Sequence, residues 1–185
     1  MAVKKGPVSS VIVLCSICLI ASFLMSLCYL ATNERIEENA LKSREAIRKE
    51  LLPAGDAFSL ITDRQKVQGV SEIYAAGNGE GWVITSSAAG RSGNVTVMTG
   101  IGADGKITKV KIVDLGDETP GNKARLTQNS YLSQYVGASS ISTSKGRANA
   151  KYIEGVSGAS AGSEAVFSCV SLALMQIQEL GGSEL

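Results

Sequence analysis

Hydrophobic and polar positions divide the chain into three textures. From Val8 to Ala31 it reads VSSVIVLCSICLIASFLMSLCYLA, and no charged side chain occurs between Lys5 and Glu34. At about 1.5 Å rise per residue, a helix of this length crosses a hydrocarbon core of about 30 Å with some tilt. The segment is read as one membrane span. A cleaved leader is the competing reading, with Lys4 and Lys5 as its positive start, but the run is longer than such leaders usually carry and shows no convincing small-x-small cleavage site. Lys4 and Lys5 precede the span and the acidic TNERIEENA follows it, so the positive-inside rule puts the N-terminus in the cytoplasm and the remainder outside.

The second texture is NERIEENALKSREAIRKELL, Asn33 to Leu52, where Ile36, Ala40, Ile47 and Leu51 recur on one helical face. Acidic residues crowd its first turns and basic ones its later turns, which suits the helix dipole. An amphipathic helix is expected, stopped by Pro53. Beyond Pro53 come short β-rich runs punctuated by glycine. Strands are predicted at Val70 to Ala75, Gly81 to Ser86, Asn94 to Ile101 and Lys106 to Leu115, the last two joined by a hairpin turn at Gly102-Ala103-Asp104-Gly105. Asp117 to Lys151 is polar and loop-like, with a short helix near Gln128 to Tyr135. Val166, Cys169, Val170, Ala173, Leu174 and Ile177 then recur at helical spacing between Ala161 and Leu180, before Gly181-Gly182.

These elements predict an α+β architecture, an antiparallel sheet covered by a long C-terminal helix. The expected segments are a cytoplasmic tail over 1–7, a transmembrane helix over 8–31, a juxtamembrane amphipathic helix over 32–55 and one extracytoplasmic domain over 56–185.

Composition narrows the chemistry. Of 185 residues, 18 are basic and 17 acidic, a net charge of +1 that lacks the basic excess expected of a nucleic-acid binder. There is no histidine, which argues against Ser/His/Asp and Cys/His catalysis. Cys15, Cys18 and Cys28 lie within the apolar run, which leaves Cys169 alone and rules out an internal disulfide framework outside it. Cys15 and Cys18 are read as small packing residues, and no metal is expected.

Three motifs compete for a role. Gly100-Ile101-Gly102-Ala103-Asp104-Gly105 fits the dinucleotide fingerprint G-x-G-x-x-G, but the alternating KITKVKIV follows it where a helix would be needed, so it reads as a turn. Gly158-Ala159-Ser160-Ala161-Gly162 fits the nucleophile elbow G-x-S-x-G. Without histidine its serine would need a lysine base, for which Lys151 is nearest. Ser160 is otherwise placed as the N-cap of the last helix, with Ser163 where a capping-box acid would stand. A phosphate ester on that hydroxyl would sit at a helix N-terminus, where backbone N–H groups and the dipole favour negative charge.

Ser157-Gly158-Ala159-Ser160 also resembles the S-G-A-[TS] attachment motif of FMN-binding domains. Some forty residues earlier, Glu118-Thr119-Pro120-Gly121 is similar to their E-T-P-G loop, and NVTVMTGIGADGKITKVKIVDL leads into it. The resemblance covers roughly Val70 to Leu180. With one N-terminal span it points to the G-subunit family of Rnf electron-transport complexes, relatives of the C subunit of the sodium-pumping NADH:quinone oxidoreductase.

This resemblance implies covalent FMN on the Ser160 hydroxyl through a phosphoester made by a flavin transferase. Ser157, Gly158 and Ala159 would form the approach to the phosphate, and Glu118, Thr119, Pro120 and Gly121 the loop beside the isoalloxazine ring. It further implies an electron carrier in a bacterial cytoplasmic membrane, anchored in the lipid bilayer and partnered by other membrane and redox subunits of an ion-translocating ferredoxin:NAD oxidoreductase. The chain departs from the family pattern with serine for threonine at position 160, Glu154 for aspartate, Asp117 for a polar residue or histidine, and Asn122-Lys123 for Leu-Gly. A stand-alone or regulatory FMN domain, and a cofactor-free assembly module, remain as alternative readings.

Overall fold

A computed structural model describes residues 7–181, with the side chains of 7–10 and 30–41 not described. Lys4, Lys5 and Gly182 therefore lie outside the described residues, and of Ile36 and Ala40 only the helical backbone is described. Two compact units are present, residues 1–44 and 45–185.

One helix, α1 (Pro7–Leu51), runs through both segments that the sequence separates at position 31. The physical reason is plain: neither glycine nor proline interrupts Val8 to Leu52, Pro7 occupies a first-turn position that tolerates proline, and Pro53 follows the end. Within the first unit, Val11–Tyr29 is long and apolar enough to cross a membrane by length and composition. Its apolar side chains, Leu19 and Phe23 among them, are exposed all round, as are Cys15, Cys18 and Cys28.

The second unit is built on an antiparallel meander in the order β1 (Phe58–Leu60), β2 (Val70–Ala76), β3 (Gly81–Gly90), β4 (Gly93–Gly102) and β5 (Ile107–Asp114). The four predicted strands are present. β3 and β4 extend further than predicted because they pair without a break from Gly81↔Gly102 to Gly90↔Gly93, closing a tight hairpin at Arg91-Ser92. The three-residue β1 was not expected; it pairs with the end of β2 and is too short to show a period.

Alternation along β4 assigns the two faces of the sheet. Val95, Val97 and Ile101 point to one side and pack with Ile84 against α4 (Ser160–Gly181), where Val166, Cys169, Val170 and Ala173 are buried. α4 is also long and apolar, but half of it is covered, as befits a core helix. Buried Gln176 ties the helix to the loop before β2, accepting from the Val67 N–H at 2.6 Å and donating to the Gln65 carbonyl at 3.1 Å.

On the other face, Val83 and Met98 pack with Leu51 and Leu52. Gly100 makes this contact possible, since a Cβ there would lie 2.5 Å from the Leu51 carbonyl oxygen. Thr108 instead donates its hydroxyl to that carbonyl at 2.6 Å. Arg48, expected on a solvated face, is buried, and its guanidinium lies 3.5 Å over the Tyr74 ring, a cation–π contact that lets a flat cation pack as a hydrophobe does.

Glu50 accepts from Lys109 at 2.8 Å and from Lys111. The hydrogen bonds from these two lysines hold its carboxyl down to about 2 from the usual 4.5. A depressed carboxyl stabilises the fold above its unfolded value, and this contribution disappears as pH falls from about 4.5 toward about 2. Because the carboxylate is 43% exposed, the effect is screened. Glu50→Gln is expected to cost no more than about 1 kcal/mol at neutral pH, and nothing once the wild-type carboxyl is protonated. Denaturant titrations of both proteins at neutral and strongly acid pH check this.

Asp117 to Lys151 is more structured than its composition suggests. It holds α2 (Pro120–Leu126), α3 (Asn129–Leu132) running into a 3-10 turn over Ser133–Tyr135, and β6 (Ile141–Ser142), which pairs in parallel with β7 (Lys151–Tyr152). The helix expected near Gln128 to Tyr135 is thus present, whereas α2 and the small parallel pair replace expected loop.

Candidate functional site

The segment leading from β7 into α4 is held by a short set of backbone constraints. Gly158 has φ +80°, a left-handed conformation that glycine adopts without strain. Ala159 donates its N–H to the Val156 carbonyl at 3.0 Å and accepts the Ser163 N–H at 2.9 Å. That second bond is the first of the helix, so Ala159 holds the N-cap position and Ser160 is the first helical residue. The expected cap role of Ser160 is therefore corrected by one residue.

Ser163 does the local work instead. Its hydroxyl donates to the Ala159 carbonyl at 3.0 Å and accepts from the Val156 N–H at 2.8 Å, closing the turn from inside. Ser160 is left exposed, and the N–H groups of Ser160, Ala161 and Gly162 have no carbonyl within the helix to bind.

Two buried tyrosines support this turn from below. Tyr131 and Tyr135 meet edge to face with centroids 5.7 Å apart and hydroxyls at 2.9 Å. Tyr131 also reaches the Ser163 carbonyl at 3.2 Å. Burial pushes both phenols above their ordinary value, so they remain neutral hydrogen-bonding groups. Burial likewise raises the Cys169 thiol to about 11, which keeps it protonated and unreactive.

The second motif starts a helix. Glu118 is buried and accepts from the Asn122 side-chain amide at 3.0 Å. Thr119 is the N-cap of α2 without a side-chain cap bond, Pro120 is its first residue, and Gly121 faces open space. The departures from the family pattern at positions 122 and 123 have structural uses here. Asn122 holds Glu118, and Lys123 donates to the Gly116 carbonyl at 2.8 Å.

The motifs meet through α2. Arg125 donates to the Ser157 carbonyl at 3.2 Å, and Leu126 lies where a side chain on Gly162 would sit, 2.5 Å from an ideal Cβ. Beside the turn opens a cavity of about 430 Å³, lined by Ser157, Ser160 and Ser163 with Val156, Tyr152 and Phe167, and with Glu164 as its acidic residue. Ser157 and Ser160 thus face one cavity, while Gly158 and Ala159 shape the turn. Glu118 to Gly121 do not line it.

The competing motifs lose their ground. Lys151 donates its ammonium to the Val136 carbonyl at 2.7 Å and does not line the cavity on which Ser160 opens, so it is not placed as the base that a hydrolytic Ser160 would need. Gly102 to Gly105 form a turn into β5, in which Asp104 accepts the Lys106 N–H at 3.0 Å. Sequence reasoning did not single out Arg125, Tyr131, Tyr135, Tyr152 or Phe167, and the sign for Ser163 was its place three residues after Ser160, where an acid was sought.

The stretch that carries both motifs, residues 90–175, matches the family model of the FMN-binding domain. At the level of whole proteins it is similar to the G subunits of ion-translocating oxidoreductase complexes. One is the G subunit of the proton-translocating ferredoxin:NAD(+) oxidoreductase complex of Clostridium ljungdahlii, 25% identical over 90% of this chain and 89% of that one. Another is the G subunit of the Na(+)-translocating ferredoxin:NAD(+) oxidoreductase complex of Acetobacterium woodii, 28% identical over 87% of this chain and 86% of that one. A third, the G subunit of the ion-translocating oxidoreductase complex of Methanosarcina acetivorans, is 25% identical over 90% and 92%.

Proposed function

We propose that this chain is an FMN-containing electron-carrier subunit of an ion-translocating ferredoxin:NAD oxidoreductase of the Rnf type, and that its FMN is esterified to Ser160. The observation that carries the reading is an exposed serine hydroxyl at the first residue of α4, opening on a cavity within the matched domain. The residues present fit the group. A volume of about 430 Å³ lies within the range of small-molecule sites, about 300–1,000 Å³. The unpaired N–H groups of α4 offer hydrogen bonds to phosphoryl oxygens. FMN, once bound, supplies the redox chemistry.

The chain's own residues then have distinct tasks. Ser160 tethers, which keeps the cofactor at fixed effective concentration near its redox partners. Ser157, Gly158 and Ala159 shape the approach, and Val156, Tyr152 and Phe167 offer an apolar wall that excludes water. Maturation requires a flavin transferase. Val11–Tyr29 anchors the protein in the lipid bilayer of the cytoplasmic membrane, N-terminus inside and FMN domain on the outer face, beside the other membrane and redox subunits of the complex.

Protein co-expressed with a flavin transferase should gain the mass of one FMN less one water and retain flavin fluorescence on a denatured band. A bare polypeptide mass would overturn the assignment. Glu118, Thr119, Pro120 and Gly121 are assigned to the ring side of the bound flavin. Glu118→Ala should then raise the flavin midpoint potential, on the order of 30 mV for about 1.4 kcal/mol in a two-electron couple, because a carboxylate disfavours the more negative reduced form. Loading should be unaffected. An unchanged redox titration would remove the loop from the ring.

A further inference from the structure

We propose that Arg125 is the positioning residue for flavin attachment: from α2 it holds the Ser157-Gly158-Ala159 turn in the shape that presents the Ser160 hydroxyl, and it supplies the cation on that motif. This rests on the reading of Ser160 as the attachment site. Three observations converge on Arg125. Its guanidinium donates to the Ser157 carbonyl at 3.2 Å, and residues 125 and 157 are brought together only by the fold. One guanidinium nitrogen lies 2.6 Å from where a Gly158 Cβ would be, so the missing side chain of Gly158 provides its seat. The residues lining the cavity include the carboxylate of Glu164 and no lysine or arginine.

The chemistry needs such a cation. An alcohol forms a phosphoester in water only from an activated donor, here a flavin diphosphate ester. The Ser160 O–H bond breaks and an O–P bond forms. The diphosphate P–O–P bridge breaks, the nucleoside monophosphate leaves with the electron pair, and the serine proton goes to solvent or to a base of the transferase. Nothing is oxidised or reduced. The donor brings negative charge toward a wall that bears Glu164, and Arg125 offsets it from the opposite side of the turn while keeping Ser157 fixed. Lys145 is committed elsewhere, its ammonium lying over the Tyr152 ring at 5.1 Å.

The test is the time course of loading for full-length protein with a flavin transferase and FAD as donor, read by intact mass, for wild type, Arg125→Ala and Arg125→Lys. Loss of one charge-assisted hydrogen bond predicts loading about tenfold slower in Arg125→Ala, partial recovery in Arg125→Lys, and thermal midpoints close to wild type because Arg125 is exposed. In a Ser160→Ala background, which cannot load, Arg125→Ala should also speed amide exchange at Gly158 and Ala159. Equal loading rates in wild type and Arg125→Ala would overturn the proposal. So would an equal loss in both variants accompanied by a lowered thermal midpoint, which would mark a structural role. Failure of wild type itself to load would instead remove the attachment reading and this proposal with it.

Discussion

Ser160→Ala is expected to leave the protein at its bare polypeptide mass under conditions in which wild type gains a flavin. This all-or-none change should come with almost no loss of stability. The helix is capped at Ala159, whose carbonyl takes the Ser163 N–H, and the turn is closed by the Ser163 hydroxyl. Alanine at an exposed first helical position costs no more than about 0.5 kcal/mol. Ser160→Thr should load, since it keeps the hydroxyl and adds only a methyl group. Covalent flavin persisting in Ser160→Ala would move the ester to another hydroxyl. Ser163, buried and bonded on both sides, is a poor substitute, which leaves Ser157 and Thr143, both lining the cavity, as the next hydroxyls to replace.

The largest effect on stability is expected at Tyr135. It is fully buried, meets Tyr131 edge to face, and belongs to the hydrogen-bonded chain that ends on the first turn of α4. Tyr135→Ala removes an aromatic ring from a closed site and should cost about 3–5 kcal/mol, a large share of the roughly 5–15 kcal/mol that holds a domain folded. Tyr135→Phe keeps the ring and loses one hydrogen bond, so about 1–2 kcal/mol is expected. Denaturant titration of both variants measures the difference. A Tyr135→Ala protein within about 1 kcal/mol of wild type would contradict the closed packing of this ring.

Much of this architecture is written in local pattern. Alternating residues in VTVMTGIG, glycine-marked turns and the helical recurrence of Val166, Cys169, Val170 and Ala173 each act within one element, so periodicity reveals them. What escaped the pattern depends on partners far along the chain. β1, β6 and β7 are two or three residues long and exist because a neighbour offers backbone groups. α2 begins in a segment whose Thr-Pro-Gly reads equally well as a turn, and its helical course became visible only with its contacts to Ser157 and Gly162. The attachment motif itself was legible as a tetrapeptide. Its support was not, because Arg125, Tyr131 and Tyr135 look like an ordinary surface cation and ordinary core aromatics until the fold sets them around Ser160.

The burial of Leu51 and Leu52 against Val83 and Met98 bears on where the second unit could be cut away from the long apolar helix. That unit's natural starting point lies near Glu45, inside the helix, since residues 45–185 form the compact unit. Cutting at Pro53, where the sequence first turns from helix to strand, would discard those leucines and the Thr108 contact to the Leu51 carbonyl. The fragment left behind would carry a bare apolar sheet face in water, a surface prone to self-association.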